Sequence, residues 1–240
     1  MWNWKKAGLL TLLLVGPVLT FVWIRFGSTN HFVLPRYFPI KDTLSGQVLI
    51  RELGPNRAWW EPERDTVFHT IPAFTLLSQD SVVITNETFK GRIRVADFFF
   101  SRCPTICPKL SAQLARVQDV FASDPDVVLV SHTIDPQHDT PSVLKKYSED
   151  FDAQPGRWYF LTGNKADLYN LAIKGYKLAV QDDSEKIPAS ETFTHDSKLV
   201  LVDKEGVIRG YYDGEDREEV DRLILEIRIL EDIYKKRQSK

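Results

Sequence analysis

The segment Ala96–Leu110 constrains the fold of this chain more than any other stretch. An apolar run that ends at Phe100 is followed by a short polar turn and by the only two cysteines of the chain, Cys103 and Cys107. Beyond them, apolar residues recur at intervals of three and four, which is the spacing of an amphipathic helix. The pattern therefore predicts a buried strand that leads into a helix, with both thiols at the junction.

The spacing of the two cysteines brings their sulfur atoms onto one side of a first helical turn. Because the free N–H groups and the dipole of a helix N-terminus favour thiolate over thiol, we expect both sulfurs to have a low pKa. Such a pair can bind a soft metal ion, form a reversible disulfide or form a permanent one. Two cysteines in 240 residues are too few for a disulfide scaffold, but the residues alone leave all three roles open.

The rest of the chain alternates strand and helix. We predict strands at residues 71–76, 82–85, 92–100, 127–134 and 158–161, helices at 108–121, 140–151 and 165–173, a hairpin at 198–212 and a C-terminal helix at 218–235. Strand–helix–strand units followed by a hairpin and a last helix indicate an α/β fold with a partly parallel sheet. Asp135, Asp139 and Thr140 are predicted to build the loop before the second helix and to cap that helix.

The first residues indicate a membrane anchor. Lys5 and Lys6 precede an uncharged apolar run at residues 7–24, which is at the short end for a spanning helix. The rival interpretation, a cleaved signal peptide, lacks a clear small-x-small cleavage site after the run. The paired lysines place the N-terminus in the cytoplasm. Without the Arg-rich, Ser-rich character of a transit peptide, we expect a bacterial inner membrane, with the soluble domain facing the periplasm.

The predicted organisation is therefore a membrane anchor at residues 1–27, an extended arm at 28–69 and one α/β domain at 70–240. Four prolines interrupt the arm, and a fifth, Pro72, follows shortly after it. Within the arm, Trp59 and Trp60 are predicted to be packing residues, and a docking surface is the alternative. The net charge of −2 argues against nucleic acid as a partner, because no basic stripe is available to neutralise phosphates.

Three blocks of the chain together resemble the Sco/SenC family of copper-handling, thioredoxin-like proteins. The first block is ADFFFSRCPTICP, at residues 96–108. The second contains Asp135-Pro136 and Asp139-Thr140-Pro141, and the third is FTHDSKLVLVDKEG, at residues 193–206. The resemblance covers about residues 70 to 235 and also fits the N-terminal anchor. One departure is Thr105, since many members of the family carry Asp between the cysteines.

The resemblance implies a thioredoxin-like fold with a copper site made of Cys103, Cys107 and His195, the last at the family's histidine position. Two thiolates suit Cu(I), and an added imidazole suits Cu(II) as well. Taken alone, His195 could equally be a solvated turn histidine. The implied function is that of a membrane-anchored chaperone that delivers copper to the copper-receiving subunit of a respiratory oxidase during assembly.

The same sulfurs fit a second function, so the sequence does not decide whether the chain is an enzyme. Cys103 and Cys107 would also serve a thiol–disulfide oxidoreductase that reduces a client's cysteines before metal is loaded. A peroxide reductase on the same fold fits less well, because a second thiol one helical turn away would crowd the reacting sulfur. Of the other side chains, His132 is predicted to be packed and His138 to lie at the surface. For Asp97 two interpretations stay open: a buried carboxylate that orients the thiols, and an ordinary residue at the end of the strand.

Overall fold

The computed structural model describes residues 13–21, 34–43, 45–55, 62–178 and 197–238. The chain divides into two units, Met1–Val33 and Leu34–Lys240. In the first unit, residues 13–21 form a helix, α1. Within the described part of the chain, no helix combines the length and the apolar character that crossing a membrane requires. Because most of residues 1–27 lie outside that part, the transmembrane anchor stays a prediction.

The second unit contains nine strands and four α-helices among its described residues. The strands are β1 (Ile50–Pro55), β2 (Pro62–Thr66), β3 (Thr75–Ser78), β4 (Val83–Thr85), β5 (Ile93–Phe99), β6 (Val127–Thr133), β7 (Trp158–Thr162), β8 (Lys198–Val202) and β9 (Ile208–Asp213). The helices are α2 (Ile106–Val120), α3 (Pro141–Asp150), α4 (Lys165–Asn170), which continues into one π-helical turn (Leu171–Gly175), and α5 (Arg217–Gln238).

Seven of these strands form one mixed sheet in the order β4-β3-β7-β6-β5-β8-β9. The central strands β5, β6 and β7 are parallel, and β8 pairs antiparallel with β5. Every residue of β5 and β6 is buried, as expected for strands covered on both faces. The prediction of an α/β fold with a partly parallel sheet is confirmed.

Two apolar layers cover the sheet. Side chains of α2, α3 and α5 pack on one face, together with Val95 and Phe99 of β5. Side chains of α4 and the π-helical turn pack on the other face, together with Ala96 and Phe98. Alternate residues of β5 therefore face different layers. Because the loops after parallel strands meet at the strands' carboxyl ends, the cysteine segment after β5 and the loop after β6 share one edge of the sheet.

The predicted arm contains regular structure. Strands β1 and β2 pair antiparallel as a hairpin, and buried Leu34 at the start of the arm packs into the layer that contains α2. The arm also hydrogen-bonds to the edge of the sheet, where the Tyr37 N–H donates to the Ile208 carbonyl (3.1 Å). Trp59 and Trp60 lie outside the described residues, so neither interpretation of them is tested.

Candidate metal centre

Cys103 lies in the turn between β5 and α2. Its N–H donates to the Phe100 carbonyl over 3.1 Å, which closes the turn. Helix α2 begins at Ile106, so Cys107 is its second residue. The predicted strand-to-helix junction is confirmed, and both cysteines are free thiols.

The sulfur of Cys103 serves as the cap of α2. Thr105 occupies the N-cap position, but its side chain makes no capping hydrogen bond. The backbone N–H of Cys107 instead donates to the Cys103 Sγ atom at 3.4 Å. The first N–H groups of a helix have no partner within the helix, so this sulfur takes the place that a side-chain oxygen usually holds.

This position favours the thiolate form of Cys103. Partial desolvation would raise the pKa of the Cys103 thiol, but the backbone N–H groups of Cys107, Thr105 and Ile106 outweigh it, and the net pKa lies below the ordinary value. Hydrogen bonds to the charged form are the cause of this shift. The side chain remains partly exposed, so Cys103 combines thiolate character with access.

Cys107 behaves in the opposite way, which corrects the expectation of two low-pKa sulfurs. Its side chain is only 6 % exposed and packs in the apolar layer of Phe99, Leu110 and Tyr147. Burial raises the pKa of the Cys107 thiol to about 12, and the neighbouring Cys103 adds to the rise. The dipole of the helix does not compensate for the lost hydration. The pair therefore consists of one partly exposed, thiolate-prone sulfur and one buried thiol.

Asp97 lies beneath the cysteines and is 1 % exposed. It faces the same layer as Val95 and Phe99, and its charge contributes to the raised pKa of Cys107. Neither of its carboxylate oxygens has a hydrogen bond of normal geometry. Burial raises the pKa of Asp97 to about 7, and the Ser131 hydroxyl offsets only part of this. The predicted buried carboxylate near the thiols is confirmed; its orienting role stays a prediction.

Two of the described histidines, His132 and His138, have different surroundings. His132 is fully buried, stacks on Phe98 at 4.8 Å between ring centroids and has its pKa lowered by burial to about 3. Its position in β6, opposite Phe98, places it on the other face of the sheet from Cys107. His138 is exposed in the loop after β6. The predictions that His132 is packed and that His138 lies at the surface are confirmed.

His195 lies outside the described residues, so its predicted ligand role is not tested by the geometry. Among the described residues, no group of three or more His, Cys, Asp or Glu side chains is placed to hold a metal ion. The first described residue after it is Ser197, whose carbonyl accepts the Gly214 N–H over 2.8 Å. A Cβ atom on Gly214 would meet Leu110 Cγ at 3.0 Å and this carbonyl oxygen at 3.1 Å. Ser197 and the first turns of α2 thus lie against the same glycine.

One contact at the site was not expected from the sequence. Asp139 was predicted to build its own loop, but its carboxylate reaches across to Ser101, two residues before Cys103. Thr140 occupies the N-cap position of α3, as predicted. The only sequence signal for this contact is that both segments follow neighbouring parallel strands and so meet at one edge of the sheet.

Comparison with known proteins identifies the family and the fold. Residues 62–229, well over half of the chain, match the family model described as SCO1/SenC. A SCO1 protein homolog of Bacillus subtilis is 29 % identical over 167 residues, which span 69 % of this chain and 84 % of that protein. A protein of Stutzerimonas stutzeri described as a putative copper-binding protein is 32 % identical over 148 residues, which span 59 % of this chain and 68 % of that protein.

Solved structures give the same result. A SCO1/SenC family lipoprotein from Bacillus anthracis superposes with a TM-score of 0.59 at 26 % identity, covering 68 % of this chain and 95 % of that one. BsSco, described as a member of the Sco family of cytochrome c oxidase assembly proteins with a disulfide switch, superposes with a TM-score of 0.57 at 29 % identity, covering 67 % of this chain and 92 % of that one. The thioredoxin-like fold implied by the three sequence blocks is confirmed.

Proposed function

Because this chain belongs to the SCO1/SenC family, we propose that it is a copper chaperone that holds its cargo with Cys103, Cys107 and His195. The donor set fits the ion. Two sulfurs lie within one helical turn, joined by a hydrogen bond from the backbone of one to the sulfur of the other. Thiolate ligands select Cu(I), and an imidazole completes a site that also suits Cu(II).

The observation that carries the proposal is the placement of Cys103 and Cys107 at the sheet edge where β8 begins. Strand β8 runs antiparallel to β5, with Ala96 opposite Val200, so β8 starts at the edge where β5 ends. Three residues of chain span at most about 10 Å. A histidine three positions before Lys198 is therefore within reach of this edge, and the contact of Ser197 with Gly214 beside Leu110 supports that route.

Each cysteine has its own part in holding copper. Cys103 offers a partly exposed sulfur that its hydrogen bonds already favour as thiolate, so we propose that it meets the incoming ion first. Cys107 must release a tightly held proton to become a ligand. Binding copper there releases a proton and becomes tighter as the pH rises.

We further propose the client and the cellular location that the sequence indicated. A relative described as an assembly protein of cytochrome c oxidase supports a copper-receiving subunit of a respiratory oxidase as the client. The N-terminal segment would anchor the chain in a bacterial inner membrane with the domain in the periplasm. A tether of this kind raises the effective concentration of the chaperone near a membrane-bound client.

The test is a competition titration of the full chain with a chromogenic Cu(I) chelator under anaerobic conditions. His195→Ala is expected to weaken copper binding by at least about tenfold, since even outer contacts of metal sites cost about 10–100-fold. His138→Ala, which removes an exposed imidazole on the neighbouring loop, is the matched control and should bind as the parent does. If His195→Ala retains the parent affinity, the ligand assignment is wrong.

A second function is favoured by the asymmetry of the thiols. A partly exposed sulfur of lowered pKa next to a buried sulfur of raised pKa is the arrangement of a thiol that forms a mixed disulfide and a second thiol that resolves it. We propose thiol–disulfide exchange with client cysteines as the alternative role. Since exchange needs no imidazole ligand, His195→Ala should reduce a disulfide-bonded peptide at nearly the parent rate; a loss of exchange together with copper binding would contradict separate roles.

A further inference from the structure

The carboxylate of Asp139 is fully buried and collects three hydrogen bonds. One oxygen accepts the Ser101 N–H at 3.1 Å and the Thr133 hydroxyl at 2.5 Å. The other oxygen accepts the Ser101 hydroxyl. Burying a carboxylate is costly unless its lone pairs are satisfied, and hydrogen bonds to an ionised acceptor are about twice as strong as neutral ones. Ser101 is therefore held firmly.

Ser101 is the second residue of the turn that the Phe100 carbonyl and the Cys103 N–H close. The third residue, Arg102, is tied to the same loop, since its guanidinium pairs with Asp135 at 2.6 Å. Arg102 is 62 % exposed in its side chain and Asp135 is 26 % exposed, so this second tie is weakened by solvent. The buried hydrogen bonds between Ser101 and Asp139 are therefore the ones that fix the turn.

Asp139 does not cap the helix that follows its loop. Helix α3 has Thr140 at its N-cap and Pro141 at its first position, and within the described part of the chain the Asp139 side chain makes no hydrogen bond to the N–H groups of that helix. Its side-chain partners are Ser101 and Thr133, at the ends of the neighbouring strands β5 and β6. A residue that served only its own loop would bond within it.

We propose that Asp139 is a positioning residue for the Cys103 sulfur: through Ser101 it holds the turn so that Cys103 Sγ stays in line with the N–H of Cys107. That alignment is seen as the 3.4 Å contact between the Cys107 nitrogen and the Cys103 sulfur. The inference deepens the proposed function, since it concerns the same sulfur, but it requires only that Cys103 is reactive and not that copper is the cargo.

The test is the rate of Cys103 alkylation by iodoacetamide in the full chain as a function of pH, read by mass spectrometry of the Cys103 peptide. In Asp139→Asn, lost positioning weakens the hydrogen bond to the thiolate. We expect the reaction at pH 7 to slow by about threefold to tenfold and its pH midpoint to rise. Removal of a negative charge would by itself act in the opposite direction, because it favours the thiolate. A rise of the pH midpoint therefore indicates lost positioning, whereas a fall indicates the loss of the negative charge.

Asp135→Asn is the matched control, because it removes the same charge from the same loop and leaves the buried contact in place. We expect its pH midpoint to stay at the parent value or to fall. If Asp139→Asn does not fold, Ser101→Ala removes one of the three bonds and should shift the midpoint in the same upward direction by less, while Ser101→Thr, which keeps the hydroxyl, should restore it. An unchanged or lowered midpoint in Asp139→Asn, or in Ser101→Ala if that variant has to be used, overturns the proposal.

Copper titration of the same variants separates this inference from the proposed function. If the alkylation midpoint rises in Asp139→Asn while the parent chain itself binds no copper, the positioning role stands and the chaperone role fails. If the parent binds copper and the midpoint does not rise, the chaperone role stands and the positioning role fails.

Discussion

At the scale of single residues, similar groups differ because their surroundings differ. Cys103 and Cys107 lie four positions apart, yet backbone N–H groups lower the pKa of one and burial raises the pKa of the other to about 12. Asp97 and Asp139 are both buried, but Asp139 has three donors and Asp97 has none of normal geometry. Desolvation and hydrogen bonding, rather than residue type, set the pKa values of Cys103, Cys107 and Asp97.

Asp97 gives the fold a measurable pH dependence. Its pKa rises from the ordinary 3.8 to about 7 in the folded state, so the folded chain holds this proton more tightly than the unfolded chain. The stabilisation is complete below pH 4 and is lost as the pH rises to 7 and above, by on the order of 4 kcal/mol. Asp97→Asn should remove this dependence and unfold at higher urea concentration than the parent at pH 8.

The measurement is urea unfolding of both chains between pH 4 and pH 8, followed by circular dichroism. Asp150→Asn, which changes an exposed carboxylate of α3, is the control and should keep the parent's pH dependence. A parent chain whose stability is flat across this range would show that Asp97 is not raised in the folded state.

At the scale of elements, the thiols depend on how α2 and α3 pack on the sheet. The apolar positions predicted for the first helix, Leu110, Leu114 and Val117, are all buried, so periodicity identified its inner face. The polar contact between the two helices is different. The hydroxyl groups of Ser111 and Tyr147 are 3.0 Å apart in a buried pair, one turn of helix beyond Cys107.

Removing the hydrogen bond between Ser111 and Tyr147 should destabilise the packing of α2 against α3. Tyr147→Phe is expected to lower the free energy of unfolding by about 1 kcal/mol, the usual net contribution of one hydrogen bond. Ser111→Ala should cost a similar amount, and the double variant should cost less than the sum, because the two single changes remove the same bond. Urea unfolding of the four chains measures the coupling, and strict additivity would contradict the contact.

At the scale of the whole molecule, one buried guanidinium helps to attach the arm to the rest of the second unit. Arg209 of β9 donates to the carbonyls of Leu34 at 2.7 Å and Pro35 at 2.8 Å. It also pairs with buried Asp203 at 3.0 Å. Breaking a buried ion pair by removing one partner is strongly destabilising, because the other charge stays uncompensated.

Arg209→Met should therefore release the arm and destabilise the unit by about 3 kcal/mol or more. Limited trypsin digestion should then cut after Lys41 sooner than in the parent, with N-terminal sequencing to locate the cut. Arg222→Met is the matched control, since that arginine bonds to Glu219 and Glu226 on the exposed surface of α5. Equal protection of Lys41 in Arg209→Met and the parent would rule out this attachment.

The sequence by itself determined the alternation of strands and helices, the position of the thiols at a strand-to-helix junction and the family. From residue 93 to residue 162 the predicted elements agree with the structure within two residues. These features are local, because hydrophobic periodicity and cysteine spacing can be read along the chain. The arm and the end of the third helix were less well predicted, since β1–β2 pairing and the π-helical turn depend on what packs against them.

Only the tertiary structure decided which cysteine is thiolate-prone and what holds it. The pKa of the Cys107 thiol is raised because Phe99, Leu110 and Tyr147 exclude water from it. These three residues belong to β5, α2 and α3. Likewise, Asp139 meets Ser101 across 38 positions of sequence, because adjacent parallel strands end at the same edge of the sheet. Such contacts are set by the folded arrangement of separate segments and leave no periodic pattern in either segment alone.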